Sequence, residues 1–219
     1  MVHRLFLAAG IAVFILVISH LALASGSTTC ELKVREGYRY YALKGKSIDE
    51  LRAQMEHGGT KWNDGKVYSA MTNWDIHYKY DVACRNGRYT VKSVDTSVDI
   101  HYFFPRLDSA ACSPSLAAVW REYMTHLQRH EFGHKDLAVK AASEMNEMFA
   151  TLPSFGTEEE LATEVERRTK EKFRHLKEVQ VEYDRDTRHG ETQGATLTAQ
   201  VPALHKKVLV GEAGKPGGA

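Results

Sequence analysis

The stretch QRHEFGHKDL, residues 128–137, carries His130 and His134 four positions apart. It lies inside a helical pattern that begins after Ser113 and ends before Pro153. The apolar positions of this pattern recur at helical spacing: Leu116, Val119, Tyr123, Leu127, Phe132, Leu137, Ala141, Met145 and Phe149. The pattern predicts one helix of about 35 residues, roughly 50 Å long, with both histidines near its middle.

The two histidines and the residue between them form a His-Glu-x-x-His motif, which has a mechanical basis. Residues four apart lie one helical turn apart on the same face, so the imidazoles of His130 and His134 can bind one ion. Glu131 is offset around the helix, where its carboxylate can accept a proton from a metal-bound water. Zn²⁺ lowers the pKa of such a water toward about 7. The motif predicts a zinc site with Glu131 as the catalytic general base.

Two further features favour a metal site over a buried structural pair of histidines. Leu127 and Ala138 lie along the same helix face as the motif, so that face should point inward. Gly133 lowers the stability of the helix by about 1 kcal/mol relative to alanine, which indicates a packing or functional reason for this residue. We expect a strand or a substrate to approach the helix closely at Gly133.

The motif leaves the third metal ligand open, although a catalytic zinc usually has three protein ligands. Leu137 and Lys140 stand where a metzincin-type continuation would require glycine and histidine, which excludes that class. An antiparallel second helix should pass the level of His134 near residues 171–178. The candidates in that helix and in the polar segment after it are Glu171, His175, Glu178, Asp184, Asp186 and His189.

The segment before the long helix is predicted to be rich in β-structure. Residues 67–82 and 88–104 contain many valine, threonine, tyrosine and phenylalanine residues with stretches of alternation. Asn86-Gly87 lies between the two runs and is typical of a tight hairpin turn. The two runs are therefore predicted to be antiparallel neighbours, and Pro105 to end the second.

Two more helices are predicted from their start signals. A capping box from Thr157 to Glu160 opens a charged helix that continues to about Tyr183. A similar box from Ser47 opens a short helix over about residues 48–57. The connection between the two longer helices is short, so they should be antiparallel. Together these elements predict an α+β fold in which a small antiparallel sheet packs on the long helix and an antiparallel second helix.

The ends of the chain differ in composition from its middle. Residues 1–24 have the layout of a secretory signal, with an early arginine, an apolar run and a small-residue Ala-Leu-Ala cleavage pattern. An uncleaved membrane anchor is the alternative, because an apolar run of about 20 residues just spans a bilayer. In both cases the rest should be exported, periplasmic or secreted. Residues 30–195 are predicted to form one domain and residues 196–219, rich in glycine, a flexible tail.

Composition restricts the partners and the redox chemistry. The net charge of +1 shows no basic excess, so nothing indicates a nucleic-acid partner, and a membrane partner is expected only if the N-terminal segment is retained. Export permits disulfides, and the chain contains Cys30, Cys84 and Cys112. Cys84 and Cys112 are predicted to pair because both flank the presumed sheet, which leaves Cys30 undecided.

The sequence resembles the predicted secreted zinc-dependent proteases of bacteria, a family otherwise described as a domain of unknown function. The resemblance is carried by HEFGH, the alanine-rich helical stretch Lys135–Ala142, a second charged helix and YDRDTRHG at residues 183–190, and it covers about residues 35–195. It implies a zincin-like metallopeptidase domain with a peptide or protein substrate. It also implies that the Tyr-Asp and His-Gly pairs matter, which favours His189 as the third zinc ligand and Asp184 as the alternative.

Simple helix geometry places Asp184 beyond the level of the metal, so the chain would have to fold back, which a turn at His189 permits. In zincin-type peptidases an edge strand lies over the active-site helix and pairs with an extended substrate. VDIHYFFP, residues 98–105, is a candidate for a strand of that sheet, although core packing explains its aromatic residues equally well. His101 and Tyr183 are candidates for stabilising an oxyanion.

The sequence therefore supports a secreted zinc metallopeptidase as the first hypothesis. A zinc-binding or purely structural envelope protein without turnover is the second. A metal-dependent hydrolase of another bond, such as an amide of the cell wall, is the third. Fold similarity would not separate these hypotheses, because function depends on the site.

Overall fold

The computed structural model describes residues 28–62, 65–108 and 112–198. The predicted signal segment, residues 1–24, lies outside these ranges, and so does all but the first three residues of the predicted tail. No helix within the described ranges is both long enough and apolar enough to cross a membrane.

The elements follow one another in an order that places the strands before the two long helices. They are β1 (Thr29–Leu43), α1 (Ile48–Gly58), β2 (Thr60–Lys61), β3 (Val67–Tyr68), β4 (Met71–Arg85), β5 (Arg88–Leu107), α2 (Pro114–Ala150) and α3 (Glu158–Thr187), followed by a short 3-10 turn at Glu191–Gln193. The α+β class is confirmed. Both long helices and α1 lie where their caps and apolar spacing predicted them.

The main sheet has three strands in the order β1-β5-β4. β4 and β5 are antiparallel, as predicted from the hairpin, but β1 runs parallel to β5 along its whole length, from Thr29 opposite Ser93 to Leu43 opposite Leu107. The sheet is therefore mixed, and the prediction of a wholly antiparallel sheet is wrong. Local pattern does not specify strand direction, and the long connection from β1 to β5 permits a parallel return.

The turn between β4 and β5 confirms the prediction from Asn-Gly. Asn86 has φ 52° and Gly87 has φ 70°, the two positive values that a type I′ turn requires. β5 continues past Pro105, which corrects the predicted end of this strand. β4 begins opposite Phe103, so at Pro105 the strand has a neighbour only on the β1 side. A missing backbone N–H is tolerated where one side of a strand is unpaired.

The two faces of the sheet differ in polarity. Alternate side chains of β5 are buried against α2, which makes this face the floor of the core: Val94, Thr96, Val98, Ile100, Tyr102 and Phe104. The opposite face carries charged and polar groups such as Asp95, Asp99 and His101. A half-buried sheet shows this period-two alternation because successive side chains point to opposite faces. The buried face orients α2, and with it the motif.

The predicted disulfide between Cys84 and Cys112 does not form, because the two residues lie beyond opposite ends of β5. Cys84 lies opposite Tyr89 at the N-terminal end of β5, whereas Cys112 follows the C-terminal end of the same strand. At about 3.3 Å per residue the strand separates them by tens of ångströms, far beyond the roughly 7 Å between α-carbons that a disulfide can bridge. Flanking one sheet does not bring two cysteines together when the strand between them is long.

Candidate metal centre

The middle of α2 directs the motif into the protein. The His130 and Glu131 residues are 3% and 4% exposed, and the side chain of His134 is 12% exposed. The sheet covers one side of α2, and the last turns of α3 cover the other. The inward orientation predicted from Leu127 and Ala138 is therefore confirmed, and both of these residues are buried too.

The part of α3 that faces the motif is nearer its C-terminus than predicted. Glu144 of α2 pairs with Lys172 of α3, so moving ten residues back along α2 corresponds to about ten residues forward along the antiparallel α3. Residues 180–184 therefore lie at the level of the histidines, instead of residues 171–178. The earlier candidates are exposed on another face, where Glu171 pairs with Arg167 and His175 with Glu178.

One carboxylate oxygen lies between the two imidazoles. Oδ1 of Asp184 is 3.3 Å from Nε2 of His130 and 3.1 Å from Nε2 of His134. Among the described residues, these three form a group that could hold a metal ion, with one ligand atom from each lying within 4.8 Å of the others. Asp184 is still helical because α3 continues to Thr187, so the chain does not need to fold back to reach the motif.

The far nitrogens of both imidazoles face side-chain amide oxygens. Nδ1 of His134 donates to Oε1 of Gln180 at 2.5 Å, and the amide nitrogen of Gln180 donates to the backbone oxygen of His134 at 3.0 Å. Nδ1 of His130 donates to Oε1 of Gln193 at 3.1 Å. These contacts place each proton on Nδ1, so each Nε2 presents a lone pair toward Asp184.

Two nitrogen lone pairs directed at a carboxylate oxygen repel one another unless a cation or a proton lies among them. Two imidazole nitrogens and one carboxylate oxygen are a ligand set that zinc accepts, and a catalytic zinc leaves its fourth position open. His130, His134 and Asp184 therefore fit a zinc ion by the chemistry of their converging atoms. The amides behind the imidazoles match the outer hydrogen bonds that usually orient metal-binding histidines.

The electrostatics of the group also favour a positive charge at this point. In the absence of an ion, the Nε2 atoms face Asp184 as N–H donors instead of as lone pairs. Burial disfavours the charged form of Asp184, but these hydrogen bonds from His130 and His134 and the charge of His134 hold its pKa well below the usual range. Burial also disfavours a charged His134, yet the hydrogen bond to Asp184 and its negative charge raise the pKa of this imidazole. The carboxylate thus remains ionised and stabilises a cation beside it.

Glu131 is a buried carboxyl held by the sheet. Oγ1 of Thr72, on β4, donates to Oε2 of Glu131 at 2.6 Å and is 3.1 Å from its backbone oxygen. Burial raises the pKa of Glu131, while the Thr72 hydrogen bond and the two histidines partly oppose this effect. A carboxylate with a raised pKa beside a metal-binding group can act as a general base.

Gly133 allows a close approach, as predicted, but the approaching group is a side chain of α3 and not a strand or substrate. A β-carbon at Gly133 would overlap the hydroxyl end of Tyr183. The Tyr183 ring stacks on that of His130, with centroids 5.2 Å apart and planes 9° from parallel, and its hydroxyl donates to the backbone oxygen of His130 at 3.2 Å. Tyr183 therefore packs behind the face of α2 that carries His130 and His134, and its hydroxyl bonds to the backbone of α2.

His189, the first choice for the third ligand, lies beside the group but outside it. Its Nδ1 is 3.4 Å from Oδ1 of Asp184, and its Nε2 is 3.4 Å from the hydroxyl of Tyr68. Its side chain is 45% exposed. Arg188 and His189 both adopt left-handed backbone conformations, with φ 50° and 53°. The structure thus brings Asp184, the alternative ligand, to the two motif histidines and places His189 behind that carboxylate. Asp186 pairs instead with exposed Arg185.

The candidate strand at residues 98–105 is part of the sheet, as predicted, but it is not an edge strand. Residues 98–105 belong to β5, the central strand, which β1 and β4 flank as far as Phe103. The outer strand of the described sheet on the Thr72 side is β4. His101 pairs with Asn73 on the face away from α2, because Thr72 and Tyr102 occupy the α2 face one residue along. His101 is therefore not near the motif.

Three residues of the site were missed by sequence reasoning. Gln180 could have been found, since it is four residues before Asp184 and therefore on the same helix face. Gln193 and Thr72 offer no local signal, because their contacts with the motif span 63 and 59 residues. Only the packing of the turn after α3 and of β4 against α2 brings them in.

The family model described as "Bacterial protein of unknown function (DUF922)" matches residues 38–190. The match spans more than half of the chain and includes the motif, Thr72, Asp184 and His189, so the chain belongs to this bacterial family. No curated protein and no solved structure matches it.

Proposed function

We propose that this member of the family is an exported zinc-dependent peptidase, with zinc held by His130, His134 and Asp184. The observation that carries the proposal is the convergence of both Nε2 atoms on one oxygen of Asp184. The buried Glu131 carboxyl beside that group supports a catalytic role over simple metal binding. An ionisable group costs stability when buried, and a purely structural zinc site would not need it.

In the proposed reaction, the zinc site would activate water and Glu131 would transfer its proton. Zinc bound by these ligands would acidify a water molecule and polarise the carbonyl group of the substrate. Glu131 would accept a proton from the attacking water at a carboxylate oxygen and transfer it to the leaving amine nitrogen. Water oxygen then bonds to the carbonyl carbon, the carbon–nitrogen bond breaks, and the products are a carboxylic acid and an amine.

Thr72 would orient the general base. Its hydroxyl donates to Oε2 of Glu131, which fixes one carboxylate oxygen and leaves Oε1 to exchange the proton. A positioned base contributes to catalysis only while its carboxylate keeps its direction toward the reacting water. Thr72 is a residue of β4, so the orientation of Glu131 is fixed by the sheet and not by a mobile loop.

The substrate class that suits this arrangement is an extended peptide. β4 is an outer strand of the described sheet, and it begins at Met71, next to the residue that touches Glu131. An extended chain can add to such an edge through main-chain hydrogen bonds, which requires no particular side chain. Binding along β4 would place a peptide bond near Glu131 and would not require a deep pocket.

The test is a comparison of zinc content and cleavage of a casein-like substrate in wild type and Glu131→Gln. We expect the variant to keep its zinc and lose cleavage, since the amide cannot accept the proton. Glu147→Gln, on an exposed position of α2, is the matched control and should retain both properties. Absence of zinc from the purified wild type would reject the proposal. Zinc binding without cleavage in the wild type would favour a non-catalytic binding protein, or a hydrolase of another amide bond.

A further inference from the structure

The two motif histidines share an arrangement that their sequence spacing does not require. Each imidazole is held on the side away from Asp184 by the amide of a glutamine, Gln180 on α3 or Gln193 in the turn after it. Each amide nitrogen has an acceptor of its own, which prevents the amide from reversing. For Gln180 the acceptor is the backbone oxygen of His134 at 3.0 Å, and for Gln193 it is the hydroxyl of Tyr183 at 3.1 Å.

We infer that Gln180 and Gln193 are positioning residues that set the zinc affinity, by holding the proton of each imidazole on Nδ1 and leaving Nε2 to bind the ion. The inference rests on the proposed zinc site. An amide turned the other way would direct N–H groups at Nδ1 and favour the opposite tautomer. The two separately anchored amides make that arrangement unfavourable at both histidines.

Tyr183 links the two sides of this network. Its hydroxyl donates to the backbone oxygen of His130 and accepts from the amide nitrogen of Gln193. Gln193 therefore depends on Tyr183 for its orientation, whereas Gln180 is anchored directly on the backbone of α2. Removing the Tyr183 hydroxyl should disturb His130 through Gln193 and leave His134 unaffected.

A neutral amide differs in charge from the carboxylate that often orients a metal-binding histidine. The group already contains the carboxylates of Asp184 and Glu131, both shielded from solvent to a large extent. A glutamine accepts the Nδ1–H bond without adding a third negative charge. Glutamate at either position would still accept that bond, so it provides a conservative variant that keeps the orienting contact.

The experiment measures zinc affinity of the purified full chain by competition with a chromophoric chelator. We expect Gln180→Ala and Gln193→Ala to bind zinc about 10- to 100-fold more weakly than wild type, the range found when outer hydrogen-bond partners of metal ligands are removed. Gln180→Glu and Gln193→Glu should recover most of that loss. Gln128→Ala, also on α2 but on another face from His130, is the matched control and should bind like wild type.

A second measurement separates positioning from general destabilisation. In zinc-loaded wild type, ¹⁵N-edited spectra should show slowly exchanging Nδ1–H protons for both histidines. Gln180→Ala should lose the signal of His134 alone, whereas Gln193→Ala and Tyr183→Phe should lose that of His130 alone. Should the alanine variants not fold, the glutamate variants decide, since loss of the Nδ1–H signals in a folded glutamate variant contradicts the inference.

The possible results distinguish a failure of this inference from a failure of the proposed function. Wild-type zinc binding together with unchanged affinity in both alanine variants would overturn the inference and leave the zinc site standing. Loss of affinity without loss of the matching Nδ1–H signal would also overturn it. A wild-type chain that binds no zinc would reject both.

Discussion

Tyr183 lies over Gly133 so closely that α2 could not carry any other residue at that position without displacement. The hydroxyl oxygen and the nearest ring carbons of Tyr183 occupy the space that a β-carbon would need. The same hydroxyl bonds to the backbone oxygen of His130, one helical turn from the other motif histidine. The glycine of HEFGH is therefore explained by helix packing behind the group formed by His130, His134 and Asp184, and not by access for a substrate.

Gly133→Ala should destabilise the protein although alanine favours helices. Alanine would gain about 1 kcal/mol of helix propensity, but overpacking against Tyr183 should cost about 1–3 kcal/mol. We expect a net loss in the free energy of unfolding, measured by denaturant titration. In a Tyr183→Ala background the clash is gone, so the same substitution should become neutral or stabilising. A destabilising effect of equal size in both backgrounds would contradict this explanation.

Substitutions of Asp184 and of His189 should have opposite effects on the zinc content of the chain. Asp184→Ala should lose zinc from the purified chain, because it removes a ligand atom lying 3.1 Å and 3.3 Å from the two imidazole nitrogens. His189→Ala should retain about one zinc per chain, since all three proposed ligands, His130, His134 and Asp184, remain. Elemental analysis after dialysis measures both, with exposed His175→Ala as the control on α3. Loss of zinc from the His189 variant alone would reverse the assignment.

Glu131 should cost the metal-free protein stability in a pH-dependent way. Burial raises its pKa in the folded chain above the unfolded value. At pH below about 4 both states hold the proton, so the carboxyl carries no penalty for its charge. As the pH rises, the unfolded chain ionises first, and stability falls until the folded carboxyl ionises too.

Glu131→Gln removes this titration. We expect the metal-free variant to resemble wild type near pH 4 and to exceed it at pH 7 by on the order of 1 kcal/mol, the scale of a poorly compensated buried polar group. Thermal unfolding in the presence of a chelator measures the difference at each pH. The exposed Glu147→Gln should follow the wild-type profile. A difference between wild type and Glu131→Gln that does not change with pH would show that the buried charge is not its source.

Thr72→Val tests the orientation of Glu131, the proposed general base, without changing side-chain shape much. A hydrogen bond to a charged group is worth about 1.5–3 kcal/mol, so loss of the Thr72 contact should lower kcat about 10- to 100-fold. Zinc content and KM should stay near wild type. The Thr72 hydroxyl contacts Glu131, and it contacts neither the proposed metal ligands nor the backbone edge of β4 where a peptide would add. Thr125→Val is the control, because Thr125 is exposed and its hydroxyl donates to the backbone oxygen of Arg121 within α2. A change confined to KM would place Thr72 in substrate binding.

The local parts of the fold were predictable because their signals are local. The caps at Ser47, Ser113 and Thr157 satisfy backbone groups within one turn, and each opens a helix where predicted. Asn86-Gly87 adopts the positive φ values that its residue types favour. The helical spacing of His130 and His134 guarantees that both lie on one face, whatever packs against it.

The sequence by itself thus determined two long helices, a hairpin and two histidines on one buried face, since periodicity and capping act between near neighbours. Tertiary structure alone decided that β1 runs parallel to β5, that Cys84 and Cys112 lie at opposite ends of a strand, and that Asp184 reaches the histidines. The axial offset of α3 against α2 depends on how their side chains interlock across 50 residues of separation. No short stretch of sequence encodes such an offset, and a shift of about one helical turn selects a different residue as the partner of both imidazoles.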